Sequence, residues 1–261
     1  NKAYIVTFLQ TDPLWVVDLS DAENPVIAGQ LEVPGWSSHL EPIGDLLLSI
    51  GWESNTIAAS LFDVADPAAP KLLSRLDLGG SYSEAAWDEQ ALKVLPDDGL
   101  AMIPLTSYDD ASGETTSVVQ LLDLDTKGGD LKLRGTIRHE FDARRSDLIG
   151  NAVISISQRV LVAADVADRD KPSILSEVAL AWPVDRVLDA GSHLVHIEDG
   201  SGYGYGRATA RVTPADSPEA VLSETDLGKG TVRGADLRDG KLYVLRETGA
   251  SRVVYFRSPV S

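Results

Sequence analysis

Apolar residues in this chain fall into short runs with polar residues at alternate positions. That is the period-2 signature of strands, and no segment of useful length carries the 3.6-residue stripe of a helix. The pattern predicts strands over residues 3–8, 14–17, 26–33, 37–43, 46–51, 71–78, 173–179, 184–189, 194–198, 232–237, 242–247 and 252–256. Tight turns separate several of them: Gly44-Asp45, Ala190-Gly191-Ser192 and Asp239-Gly240 each lie between two apolar runs, which is a hairpin signal.

A polar phrase recurs at the strand ends. Val17-Asp18-Leu19-Ser20-Asp21 runs on to Pro25, Phe62-Asp63-Val64-Ala65-Asp66 to Pro70, and Ala164-Asp165-Val166-Ala167-Asp168 to Pro172. Leu122-Asp123-Leu124-Asp125 is a weaker copy, and Val212-Thr213 with Asp216 and Pro218 a decayed one. An Asp leaving a strand accepts hydrogen bonds from amides just ahead of it and so stabilises a tight turn. Pro then opens an outer edge strand, where a missing N–H does no harm. The anchors at 18, 63, 123, 165 and about 213 stand 45, 60, 42 and about 48 residues apart. Four antiparallel strands per period in the forties is the arithmetic of a propeller blade. The expectation is an all-β fold, a β-propeller of four-stranded antiparallel blades, forming one domain over residues 1–261 with about six blade-equivalents. The chain opens on a second-strand pattern and closes on a third-strand pattern. Unpaired blade edges are hazardous, so the segment is expected to be the C-terminal portion of a ring of seven or eight blades. The remaining blades would come from upstream sequence or another chain.

Composition narrows the partners. Forty acidic against 23 basic residues give a net charge of −17, which repels nucleic acid and anionic membrane surfaces. The absence of Cys excludes disulfides, thiol catalysis and thiolate metal sites. No apolar stretch approaches the length of a membrane span.

Leu14-Trp15-Val16-Val17-Asp18-Leu19-Ser20-Asp21, with Asn24-Pro25, resembles the LVIVD repeat of bacterial and archaeal cell-surface proteins. The wider context is similar to a secreted β-propeller family of bacteria and archaea. The segments that carry this are Tyr4-Ile5-Val6-Thr7-Phe8, Thr11-Asp12-Pro13-Leu14, Ser60-Leu61-Phe62-Asp63-Val64, Ser81-Tyr82-Ser83-Glu84-Ala85, Met102-Ile103-Pro104 and Leu133-Arg134-Gly135, then Arg145-Ser146 and Ile149-Gly150. The likeness covers about residues 3–172. It implies a secreted, periplasmic or cell-surface protein and transfers no catalytic residue.

Candidate chemistry is sparse. His193 and His196 sit at odd spacing in a strand and so point to opposite faces, which disfavours a shared metal. Asp123-Leu124-Asp125-Thr126-Lys127-Gly128 places a lysine where a calcium loop needs an oxygen ligand, so a hairpin turn explains it better. Asp109, Asp110 and Glu114 form a denser carboxylate loop; calcium is the one cofactor the sequence could supply ligands for there, and a solvated acidic loop is the plainer account. In a propeller the loops leading into successive inner strands open on one face. That reasoning gathers Trp36, His39, Tyr82, Glu84, Arg144, Arg145, Trp182, Arg186 and Arg233 as a binding surface, with aromatic and Arg anchors. The functional expectation is an exported binding or scaffolding module for protein or glycan partners, without catalysis. The alternatives are a hydrolase or lyase acting on an anionic substrate at the channel mouth, and an architectural subunit of a larger surface complex.

Overall fold

A computed structural model describes residues 1–7, 11–109, 114–182, 184–199 and 207–247, with backbone alone at 11, 12, 109 and 114. The chain divides into two units, one of residues 1–111 and 116–181, the other of residues 112–115 and 182–261. The first holds β1 (Lys2–Ile5), β2 (Thr11–Asp18) and β3 (Val26–Pro34), then β4 (Trp36–Ile43), β5 (Leu46–Glu53), β6 (Thr56–Asp63) and β7 (Lys71–Asp77). It continues with β8 (Lys93–Leu95), β9 (Leu100–Asp109), β10 (Glu114–Asp125) and β11 (Asp130–His139), then β12 (Ala143–Ile149), β13 (Ala152–Ser157), β14 (Val160–Asp165) and β15 (Ser173–Ala179). The second unit holds β16 (Arg186–Asp189), β17 (His193–Glu198), β18 (Arg207–Pro214) and β19 (Ser223–Lys229), with the pair β20 (Thr231–Arg238) and β21 (Lys241–Glu247). Among the described residues, consecutive strands pair into antiparallel sheets, one of three strands (β1–β3), four of four and one of two. These are propeller blades, as the repeat arithmetic required. The strand expected over 252–256 lies outside the described residues, as does the loop over 200–206.

The middle strands of a blade are buried on both faces, which is why they read as nearly unbroken apolar runs. On β6, Ile57, Ala59 and Leu61 enter one core, while Phe62 enters another with Leu14, Val33 and Leu47. β9 splits likewise: Ala101, Ile103 and Leu105 pack towards β5 and β6, and Leu100 and Met102 pack towards β13 and β14. Each such Leu or Ile contributes about 1.5–3 kcal/mol by leaving water. The second unit has its own smaller core around Val195, Ile197, Ala208 and Val232.

The repeated phrase acts through the backbone. The anchor carboxylates accept amide hydrogens two residues on: Asp18 from Ser20 (2.8 Å), Asp63 from Ala65 (2.9 Å) and Asp165 from Ala167 (2.8 Å). A second turn follows, with Asp21, Asp66 and Asp168 each accepting from the residue two ahead at 3.0 Å. The residue after each of the first four anchors donates its own amide to the start of the preceding hairpin, Leu19 to Asn1, Val64 to Asp45, Leu124 to Gly99 and Val166 to Asn151, and Ala215, after Pro214, donates to Ser192, all within 3.0 Å. Asp123 departs from the pattern. Asp125 caps the turn instead, accepting from Lys127 and Gly128, which holds its carboxyl below the ordinary range. Asp123 is left to pair with Arg169 (2.7 Å) and Arg134 (3.4 Å).

Outer strands are tied to the next repeat's turn at a bulge. Pairing slips between Val16 and Val17 on β2, between Leu61 and Phe62 on β6, and between Ala163 and Ala164 on β14, so each outer strand carries one extra residue there. At that point Gly29 lies so near Pro67 that a Cβ would sit 2.4 Å from its carbonyl oxygen. Gly135, on β11, donates its amide to Arg169 O at 2.8 Å in the corresponding turn. In the blade between, Ser74 takes this position and bonds Asp130 and the Leu131 amide.

Candidate functional site

The 60-residue step between anchors 63 and 123 contains a segment that the strand pattern did not foresee. Between β7 and β8, residues 78–92 form two short 3-10 turns, Glu84–Ala86 and Glu89–Ala91. Ser83 caps the first by accepting from the Ala85 amide (3.2 Å) and itself donates to Pro104 O (2.6 Å). Asp88 caps the second, accepting from the Gln90 amide at 2.9 Å. Ala85, Ala86 and Ala91 are buried, so the segment is pinned on its inner side. Its outer side presents Trp87, 69% exposed. An exposed Trp on a fixed backbone is unusual, since so large an apolar surface is ordinarily covered.

Trp87 does not stand alone. Trp52 on β5 lies 6.1 Å from it, ring to ring and tilted by 52°, and Trp36 on β4 stacks on Trp52 at 4.3 Å and 15°. Trp36 and Trp52 are direct cross-strand partners because pairing slips between Ser37 and His39. Glycines permit the close approach: a Cβ on Gly51 would fall 2.0 Å from Trp36 O, and one on Gly35 2.1 Å from Trp52 O. Gly35 also has φ +77°, a conformation a side chain would strain. Arg75 braces the corner, bonding Glu53 at 2.8 Å and Pro34 O at 2.7 Å.

A polar rim adjoins the aromatic cluster. Arg145 on β12 donates to Asp88 at 2.9 Å, and that bond, the Gln90 amide and the charge of Arg144 hold the Asp88 carboxyl below its usual range. Tyr82 donates to Glu84 at 2.9 Å. Its hydroxyl is pushed up to about 12, first by burial and then by the Glu84 hydrogen bond and charge, so it stays a neutral donor. Thr106 donates to Asp142 at 3.2 Å, and Lys93 meets Asp147 at 3.0 Å.

Of the nine sequence-derived binding residues, Trp36, Tyr82, Glu84, Arg144 and Arg145 thus belong to this neighbourhood of the first unit. His39 lies further along β4, its Nε2 3.6 Å from Glu41, too long for a hydrogen bond. Trp182, Arg186 and Arg233 lie in the second unit. There Arg211 sits over the Trp182 ring at 5.5 Å, Arg233 bonds Glu247 at 2.6 Å, and Arg186 donates to Arg233 O at 3.3 Å. Sequence reasoning missed Trp52, Trp87 and Asp88. The hairpin centred on Gly44-Asp45 places Trp36 and Trp52 near one another, a usable signal; nothing local marks Trp87.

The histidines take structural positions. His139 and His196 are buried, on Ser155 (2.7 Å) and Thr213 (2.8 Å), and His193 meets Ser192 at 2.9 Å. Burial holds His139 down at about 4. Asp110 and the side chains of Asp109 and Glu114 lie outside the described residues. Among the described residues no group of three or more His, Asp or Glu is placed to hold a metal ion, and no helix is long and apolar enough to cross a membrane.

Residues 1–204 match the family model for the beta propeller domain. An uncharacterized protein of Archaeoglobus fulgidus is 40% identical over 105 residues, covering 40% of this chain and 17% of that protein. An uncharacterized protein of Methanocaldococcus jannaschii is 39% identical over 99 residues, covering 34% of this chain and 16% of that protein. The matched region therefore spans about a sixth of the length of these curated relatives. Among solved structures, the periplasmic gluconolactonase PpgL of Pseudomonas aeruginosa aligns with 94% of this chain and 75% of its own, at TM-score 0.49 and 12% identity.

Proposed function

This chain belongs to the beta propeller domain family, and on that footing we propose that it is an exported or cell-surface module that binds protein or glycan partners without catalysis of its own. The observation that carries the reading is the Trp36–Trp52–Trp87 cluster, fixed from behind by glycine contacts and two capped turns and open at Trp87. An aromatic anchor on a rigid support, ringed by polar pairs, is the arrangement of a binding hot spot. The ionisable groups beside it are engaged with one another: Asp88 with Arg145, Glu84 with Tyr82. That supports a recognition surface over a reactive one. The arginines of the second unit counted as anion anchors are likewise held, Arg233 by Glu247 and Arg186 on a carbonyl, which counts against a hydrolase or lyase drawing on them.

The test is to probe arrays of glycans and purified proteins with wild-type protein and Trp87→Ala, then to weigh the bound ligands by mass spectrometry. Ligands recovered unchanged, and lost with Trp87→Ala, are expected; ligands converted on contact would refute the non-catalytic reading. Protease treatment of intact producing cells should remove the protein, and protection from protease would refute export to the surface.

A further inference from the structure

We infer that the Trp87 surface takes a neutral, polyhydroxylated ligand, a glycan; the inference rests on the binding reading above. The first ground is local charge. The chain as a whole carries −17, yet several acids around the aromatic cluster are matched: Glu53 by Arg75 (2.8 Å), Asp88 by Arg145 (2.9 Å) and Asp147 by Lys93 (3.0 Å). Glu84 accepts from Tyr82, Asp142 from Thr106, and Arg144 adds its charge beside Asp88 and Tyr82. Most of the charges beside the cluster are thus already engaged in pairs or hydrogen bonds, with the exposed carboxylate of Glu89 an exception. A cationic segment would be drawn to the acidic surface elsewhere, and an anionic one would meet arginines already bound to carboxylates.

The second ground is the kind of contact on offer. Trp87 provides a flat, exposed π-face on a backbone fixed by bonds from the Trp87 and Asp88 amides to Glu84 O at 3.0 and 2.9 Å. The C–H bonds of one pyranose face pack on such a ring. Next to it stands a carboxylate already oriented, one Asp88 oxygen on the Gln90 amide and the other on Arg145. Each carboxylate oxygen retains a second lone pair, and the guanidinium retains further N–H groups. Sugar hydroxyls act as donor and acceptor together, so one ring can use both partners of the pair without separating them. Because the groups are already held, little side-chain entropy remains to be lost on binding.

The test titrates tryptophan fluorescence of the whole chain with neutral hexasaccharides (cello-, xylo- and mannohexaose), anionic oligogalacturonate and cationic oligolysine, backed by a neutral-glycan array. At least one neutral glycan should bind saturably, at least tenfold more weakly to Trp87→Ala, with a smaller loss in Asp88→Asn and partial retention in Trp87→Phe. Both side chains lie outside the cores, and unchanged far-UV circular dichroism confirms that the variants fold. Trp87-dependent binding of oligolysine or oligogalacturonate alone would overturn the neutral-glycan inference and leave the binding reading standing. Finding no Trp87-dependent ligand among these probes and the glycan and protein arrays would overturn both.

Discussion

Replacing Gly135 with Ala tests whether the repeats are latched to one another at the outer-strand bulge. The added Cβ would sit 2.5 Å from Pro172 Cδ and 2.8 Å from the carbonyl oxygens of both Arg169 and Asp170. All three belong to a ring or the backbone, so no flexible side-chain end can swing clear, and the turn must retreat by about 1 Å to reach ordinary contact. Moving it strains the Gly135–Arg169 amide bond and the Arg169 side chain, which donates to Gly99 O, Asp98 O and Asp123. Overpacking of this kind costs about 1–3 kcal/mol, and loss of the amide bond about 1 more. The smaller entropy of the unfolded Ala chain offsets about 0.4–1 kcal/mol. The net expectation is destabilisation of about 1–3.5 kcal/mol, read as a lowered urea midpoint by circular dichroism. Gly234→Ala is the control, because its Cβ would meet nothing nearer than Leu245 Cβ at 3.9 Å. It should be neutral or slightly stabilising. An unchanged or raised midpoint for Gly135→Ala would show that the latch is not closed as described.

Other expectations follow from the same geometry. Asp63→Ala should lower stability by only about 0.5–1 kcal/mol in urea titration, because the Ala65 amide it serves is exposed and water can replace the carboxylate. Asp123→Ala should cost more, about 2 kcal/mol, by stripping Arg134 and Arg169, three-quarters or more covered, of their shared carboxylate. Gly51→Ala should abolish the near-ultraviolet circular dichroism of the Trp36–Trp52 stack, since its Cβ would meet Trp36 O at 2.0 Å; a retained signal would contradict the close approach. His139 is held near 4 in the fold against an ordinary 6.5, so the unfolded chain binds more protons between those values. Its contribution is intact above pH 6.5 and declines towards pH 4, a loss on the order of 3 kcal/mol, and His139→Gln should flatten stability across that window.

The strands, their turns and the blade repeat were legible in the sequence because they depend on local chemistry. Period-2 patterning set the strands: β15 lies over Ser173–Ala179, where the alternation placed it. The Asp residues at 18, 63 and 165 declared their turns because an Asx turn closes within two residues. The sequence also singled out Trp36, Tyr82, Glu84, Arg144 and Arg145 as residues of loops leading to inner strands, but Trp36 lies on β4 and Arg144 and Arg145 on β12. What it could not supply was register. An uninterrupted β4–β5 ladder would set Trp36 against Glu53; one residue's slip at Ser38 sets it against Trp52, and a slip of that size has no composition of its own. Trp87 is further from reach, because its place depends on Ser83 meeting Pro104 and on three alanines packing inward from a segment without periodicity. The division of labour at Asp123 and Asp125 has the same origin: identical side chains, one capping a turn and one pairing two arginines, told apart only by which partners the packed blades bring within 3.4 Å.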